Sequence, residues 1–236
     1  MPPFSAGAVL ARSFAIWAKN LAPFLLLTLL VLLPGQVLHY LVEAGRVTMG
    51  DPLLDQAIPL LLDTVLITIV SGAICWGVYQ GLRGKPVNFV RCVLIGLRKL
   101  PKVLFVGLVA GLIVGIGWLV FIVPGLFLAC VLYVVVPAAV VEGGGVVASI
   151  QRSASLTAGH RWQVFTIGLI NFAISFGAGS LAVDALEAGS SALWTARIAL
   201  AVAFASFGAV TSTVAYYDLR VAREGHAPDD LADVFE

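Results

Sequence analysis

Long runs without a charged residue constrain this chain more than any other feature of its sequence. A helix needs about 20 apolar residues to cross a hydrocarbon core about 30 Å thick. Four uncharged runs, at 20–42, 64–82, 162–183 and 198–217, are 19 to 23 residues long and suit one crossing each. Only 11% of the residues are charged, against about 25% in soluble domains. The sequence therefore predicts a membrane protein and argues against a water-soluble globule.

A fifth uncharged run, over 103–141, has 39 residues and is too long for one span. As a single helix it would measure about 58 Å at about 1.5 Å per residue. Pro124-Gly125 is a pair that ends helices, so we expect a hairpin that breaks there. The predicted fold is an all-α polytopic membrane bundle, with one integral membrane domain over 1–220 and a short acidic cytoplasmic tail over 221–236. The six expected transmembrane helices cover about 21–42, 57–82, 103–122, 126–141, 162–184 and 197–217.

The distribution of basic residues is an independent test of six spans, because cytoplasmic loops carry an excess of Lys and Arg. With the N-terminus in the cytoplasm, 12 of the 14 basic residues lie on the cytoplasmic side, and only Arg46 and Arg197 lie outside. Treating 103–141 as one span would move Arg152 and Arg161 to the opposite side. We therefore predict a multi-pass protein of the bacterial cytoplasmic (inner) membrane with both termini in the cytoplasm.

A segment that mixes basic and apolar residues precedes each odd-numbered span, which predicts a threefold internal repeat. The segments read VLARSFAIWAKNLAPF, FVRCVLIGLRKLPKVLF and SIQRSASLTAGHRWQVF. Basic residues recur seven apart in the first two and at a similar distance in the third, which places them on one helical face. We expect three copies of a cytoplasmic interfacial amphipathic helix followed by a membrane hairpin, with cations facing the anionic headgroups of membrane lipids. The alternative is that any polytopic protein carries basic residues before its inward-facing span ends.

Three glycines, Gly107, Gly111 and Gly115, are spaced by four in the third expected span. Small residues at this spacing let a second helix approach closely. The stripe therefore predicts helix packing, either within the bundle or between the two chains of a homodimer. A third possibility is that the three glycines line a groove for a ligand.

Two carboxylates, Asp63 and Asp184, fall at the outer parts of expected spans. Charged residues inside a membrane are costly and often functional. Either both side chains extend to the outer interface, or Asp63 forms a paired or water-lined site within the membrane. We expect no basic partner at matching depth, which argues against a proton relay.

The residues that carry most enzyme chemistry are scattered in this sequence. Cys75, Cys92 and Cys130 stand far apart without a CxxC pair, so we expect neither disulfides nor metal. The three histidines are dispersed, and no phosphate loop, HExxH or GxSxG motif occurs. A net charge of +1 argues against a nucleic-acid partner. We therefore predict that the protein is not an enzyme and needs no cofactor.

Two stretches resemble a known family. One is Pro137, Glu142 and then Ser153-x-x-Leu156-x-x-Gly159, and the other is the tail AYYDLRVAREGHAPDDL. Both resemble bacterial six-span proteins that are similar to the membrane domain attached to glycerophosphodiester phosphodiesterases. In the fused relatives hydrolysis belongs to a separate catalytic barrel, which has no room here, so that activity is not carried over. The resemblance implies a role in envelope or membrane maintenance and singles out Glu142, Ser153, Leu156, Gly159, Asp218 and Arg220.

These positions have a structural and a functional reading. Glu142 would cap the helix that follows it, or would pair with Arg152 or Arg220 to make a buried lock. Alternatively, Arg152, Arg161 and Arg220 would bind a lipid phosphate. Asp218 and Arg220 are two apart, so on a helix we expect them to take different partners.

The leading functional prediction is a non-enzymatic membrane protein that binds lipid or a protein partner. A transporter or channel for a small or amphipathic substrate is the first alternative, and it requires a polar cavity that reaches Asp63. An intramembrane lipid-processing enzyme is the second, and it requires a polar cluster around Glu142.

Overall fold

The computed structural model describes residues 4–82, 89–185 and 190–225, and it leaves out the side chains of 89–100, 182 and 184. The described ranges form nine α-helices and contain no strand. The helices are α1 (Ala6–Lys19), α2 (Leu21–Glu43), α3 (Pro52–Leu82), α4 (Phe89–Val120), α5 (Ile122–Val131), α6 (Val135–Glu142), α7 (Val146–Thr157), α8 (Arg161–Ala185) and α9 (Ser191–Glu224).

Six helical segments are long and apolar enough to cross a membrane, which confirms the predicted all-α polytopic bundle. The first two spans are α2 and α3, the third is the later part of α4, the fourth combines α5 and α6, and the last two are α8 and α9. We name the end of the bundle that holds Leu21 and Arg220 the proximal end. The opposite end, which holds Glu43 and Arg197, is the distal end.

The distal turn between the third and fourth spans lies at Phe121 and not at Pro124-Gly125, so the predicted break is misplaced. Pro124 instead occupies the first turn of α5, where a missing N–H costs no helical hydrogen bond. Glycine allows the two helices to touch: a Cβ on Gly125 would lie 2.7 Å from the backbone nitrogen of Trp118, and one on Gly117 would lie 2.9 Å from the Gly125 Cα. This close contact lets a single residue connect the two helices.

Three helices extend further than predicted, and the first is α3, which begins at Pro52 rather than at about 57. α4 runs from Phe89 through Pro101 to Val120, so the second expected interfacial helix is continuous with its span. α9 continues to Glu224, so the expected tail begins as helix rather than as a separate segment.

The short helices α1 and α7 pack into the bundle as well as bordering it. α1 contacts α9 and α8, and α7 contacts α6, α4 and α9. The buried side chains of α7 are Ser149, Ser153, Leu156 and Thr157. Small polar side chains allow close helix packing. The face of α7 that the sequence predicts to border lipid headgroups is therefore partly enclosed by protein.

Candidate functional site at the proximal end

The fourth span is broken between α5 and α6, and Pro137 lies just after the break, in the first turn of α6. Proline has no N–H and cannot complete the helical hydrogen bond to the carbonyl four residues earlier. The amide of Val135 also leaves the α-helical pattern and donates to the Leu132 carbonyl at 3.1 Å. The Val131 carbonyl accepts instead from the hydroxyl of Ser153 at 2.6 Å. Since Ser153 is fully buried, this bond fixes α7 against the break.

An ion network joins α6, α7 and α9. Glu142 Oε1 accepts hydrogen bonds from Arg152 Nε and from the Tyr216 hydroxyl, both at 2.6 Å. Nη2 of Arg152 donates to Oε1 of Glu224. Nε of Arg220 donates to Oε2 of the same carboxylate at 2.8 Å. The sequence offered Arg152 and Arg220 as partners of Glu142. Arg152 binds Glu142 directly, whereas Arg220 binds Glu224, which in turn binds Arg152.

Much of this network is removed from solvent. Tyr216 is fully buried and Arg220 is 8% exposed, while the side chains of Arg152 and Glu142 are 26% and 27% exposed. Burial by itself would lower the pKa of Arg152, but its hydrogen bonds to Glu142 and Glu224 raise the pKa overall. Arg152 therefore stays charged, and loss of Arg152 would leave the partly desolvated Glu142 carboxylate without its cation.

The glycines around the network shape the backbone. Gly143 ends α6 in the left-handed conformation, with φ +71, and its carbonyl accepts a hydrogen bond from Lys102 Nζ. A cation at this position suits the negative end of the helix dipole. The prediction that Glu142 caps the following helix is wrong, because Gly145 is the N-cap of α7 and no side chain caps it. Gly159, with φ +89, makes the turn into α8.

Asp218 connects α1 to α9. Its Oδ1 accepts a hydrogen bond from Arg12 at 2.5 Å. A second bond between these helices runs from Trp17 Nε1 to Ser206 Oγ at 2.9 Å. Asp218 and Arg220 therefore take different partners, as their spacing predicts.

The same Arg-Ser pair occurs in both short helices. It occurs at 12–13 in α1 and at 152–153 in α7, and both serines are fully buried. Each arginine binds a carboxylate on the second span of another hairpin, Asp218 on α9 or Glu142 on α6. The serines differ, because Ser153 donates to the Val131 carbonyl whereas Ser13 Oγ has no partner among the described residues, and the repeat stays a prediction. The related Arg-Cys pair at 91–92 has side chains outside the described residues.

Arg161 lies apart from the other two arginines of the predicted phosphate site. Its guanidinium carbon is 4.7 Å from the centre of the Phe127 ring in α5. Arg152 and Arg220 are instead bound to carboxylates. The described structure therefore does not bring the three arginines together around one anion.

Asp63 of α3 lies beside His39 of α2, so a histidine is present at the depth where we expected no basic partner. Nε2 of His39 and Oδ2 of Asp63 are 3.0 Å apart. Oδ1 is buried and has no hydrogen-bond partner among the described residues. It lies against Gly35, where a Cβ would overlap it. Asp184 belongs to α8, and its side chain lies outside the described part of the chain.

The glycine stripe has two parts. A Cβ on Gly107 would overlap the Thr68 side chain, so this glycine permits α4 to pack on α3. Gly111 and Gly115 have more space and line an apolar groove of about 560 Å³ between the same helices.

Sequence reasoning missed several residues of these contacts, among them Tyr216, Glu224, His39 and Phe127. Glu224 follows Arg220 by four, a spacing that indicates a pair on one helical face. His39 falls within an expected span, which is itself a signal for a polar contact. Nothing in the sequence marks Tyr216 or Phe127 as partners of distant charges.

Comparisons with known proteins found no match to this chain among protein-family models, curated proteins or solved structures.

Proposed function

We propose that this chain is a non-enzymatic integral membrane protein of the bacterial cytoplasmic membrane that binds lipids and serves envelope maintenance. The observation that carries the proposal is the exposed aromatic and cationic surface at the proximal end, where Arg161 and Trp162 begin α8. At the same end an ion network joins three helices through Glu142, Arg152, Arg220 and Glu224, and a rigid framework offers fixed contacts to a ligand. In this proposal the proximal end faces the cytoplasm, as the basic residues predict.

Exposed aromatic residues support contact with lipid headgroups. Trp162 is 81% exposed and follows Arg161 at the start of α8, and Phe14 of α1 is 59% exposed. Aromatic and cationic side chains together anchor proteins at the membrane interface.

The position of Glu142 favours binding over catalysis. A lipid-processing enzyme would need this carboxylate to exchange protons with a substrate. Its Oε1 already accepts two hydrogen bonds, from Arg152 and Tyr216. Glu142 is therefore arranged as a structural partner of Arg152 and Tyr216.

Native mass spectrometry of the full-length chain, extracted with its surrounding lipids, tests the proposal. We expect the retained lipids to be enriched in one headgroup class relative to the source membrane. Arg152→Ala should reduce stability and leave the headgroup profile unchanged, because Arg152 binds carboxylates. Retained lipids that match the bulk membrane in composition would contradict lipid binding as the function.

A transporter is the second candidate, and the His39–Asp63 pair favours it. Asp63 has one buried oxygen without a partner among the described residues and lies next to an imidazole, and polar groups of this kind inside spans mark ion pathways. The test uses full-length protein in liposomes that contain a pH-sensitive dye, with an imposed potential. Proton flux that Asp63→Asn abolishes and Asp55→Asn leaves intact would establish this candidate, and absence of flux in the unmodified protein would reject proton coupling.

A further inference from the structure

An apolar groove of about 450 Å³ lies between α5 and α8. Its residues include Leu126 and Cys130 from α5, Val164, Gly168 and Phe172 from α8, and Trp118 from α4. A Cβ on Gly168 would meet no atom within 4 Å, so this glycine leaves open space along the groove. Phe172 beside it is 65% exposed, which shows that the groove opens to the surroundings of the bundle.

In a bilayer, such a groove is in contact with acyl chains rather than water. Close packing leaves few voids larger than a water molecule, so a chain or another helix fills the space. The depth of the groove within the fifth span suits a chain that enters from the proximal headgroup layer.

A cation precedes the first α8 residues of this groove by one helical turn. Arg161 precedes Val164 and Phe165 by three and four residues, which places it on the same face of α8 as these groove residues. Its guanidinium is held over the Phe127 ring at 4.7 Å, a favourable cation–π geometry.

Arg161 also differs from the arginines that hold the bundle together. Arg12, Arg152, Arg197 and Arg220 each bind a carboxylate. Among the described residues, no carboxylate lies within ion-pair distance of Arg161, whose recorded contact is the aromatic ring. Stacking uses the face of the guanidinium and leaves its N–H groups at the edge, where they suit a phosphate.

We propose that one glycerophospholipid binds here, with an acyl chain in the α5–α8 groove and its phosphodiester on Arg161. This inference rests on the proposed lipid-binding function and specifies the ligand and the site. Charge complementarity selects a phospholipid over a second copy of the chain, because an apolar helix would leave the guanidinium unpaired. Trp162, next to Arg161, marks the headgroup depth.

The experiment measures binding of palmitoyl-oleoyl-phosphatidylglycerol to the delipidated full-length chain by native mass spectrometry. Arg161→Gln removes the cation, and Gly168→Leu fills the groove without changing charge. Arg223→Gln is a matched control on an exposed proximal arginine, and Gly177→Leu is a control on α8 where a Cβ also meets nothing within 4 Å. We expect each test variant to weaken retention of one tightly bound lipid about tenfold, and the controls to bind as the unmodified chain does.

Thermal melting establishes that each variant is folded before binding is compared. Selective lipid retention by the unmodified chain and equally by both test variants would overturn the site and leave the proposed function standing. Loss with Arg161→Gln but not with Gly168→Leu would overturn the groove assignment. A dimer that Gly168→Leu dissociates would assign the groove to a second copy and overturn the proposal. No lipid retention by the unmodified chain would overturn both the site and the proposed function.

Discussion

Replacing Arg152 with methionine removes the cation that contacts both Glu142 and Glu224. Methionine keeps a long apolar side chain, so the substitution changes charge more than packing. Exposed ion pairs contribute about 0–1 kcal/mol, whereas breaking a fully buried pair costs about 3–5 kcal/mol. The side chains of Arg152 and Glu142 are 26% and 27% exposed. We therefore expect an intermediate loss, about 2 kcal/mol in the free energy of unfolding.

Reversible unfolding of the full-length chain in detergent micelles, followed by circular dichroism, measures this change. Arg223→Met is the control, because Arg223 is exposed on the same end of the bundle, and it should change stability by less than about 0.5 kcal/mol. Adding Glu142→Gln to Arg152→Met should recover part of the loss, since the double variant no longer leaves Glu142 charged and unpaired.

A loss in Arg152→Met no larger than that of the Arg223→Met control would refute the reasoning. It would mean that water screens the proximal network as it screens a surface ion pair. A double variant whose loss equals the sum of the two single losses would show that Arg152 and Glu142 are not coupled.

Three further substitutions test the backbone contacts in the same unfolding assay. Ser153→Ala should cost about 1–3 kcal/mol, because the buried Val131 carbonyl loses its donor; a neutral result would show that this carbonyl has another partner. Gly107→Ala should destabilise the bundle by about 1–3 kcal/mol, because its Cβ would overlap Thr68. Gly115→Ala should instead be neutral or stabilise by up to about 1 kcal/mol, since its Cβ would meet nothing within 4 Å, and equal losses at the two glycines would refute this division of the stripe.

The six spans were predictable because span length depends on a local property, the number of consecutive uncharged residues. The position of the distal turn was not. Pro124 is compatible both with a break and with the first turn of a helix, and the contact between Gly117 and Gly125 that selects the turn at Phe121 forms only when two helices meet. Pro101 illustrates the same ambiguity, since α4 continues through it.

The proximal network was predictable in part for a similar reason. Glu142 and Arg152 are ten residues apart on consecutive helices, so their pairing follows from a short connection. Arg152 and Glu224 are 72 residues apart, and only the packing of α7 on α9 brings them together. The sequence also placed Arg161 with Arg152 on the basis of shared charge, whereas the structure separates them by giving Arg161 an aromatic neighbour.

Arg161 differs in its partner from the arginines that join helices. Arg12 and Arg152 join short helices to spans of other hairpins, and Arg197 joins Glu43 across the distal end at 3.3 Å. In each case the cost of desolvating the guanidinium is offset by a carboxylate within the protein. Arg161 lies one helical turn before the residues of the α5–α8 groove, and no carboxylate of the described residues is within ion-pair distance of it. The phosphodiester is the anion that a bilayer supplies at that depth. The same type of side chain therefore holds the hairpins together where protein supplies the anion, and in our proposal it binds a lipid phosphate where the membrane supplies the anion.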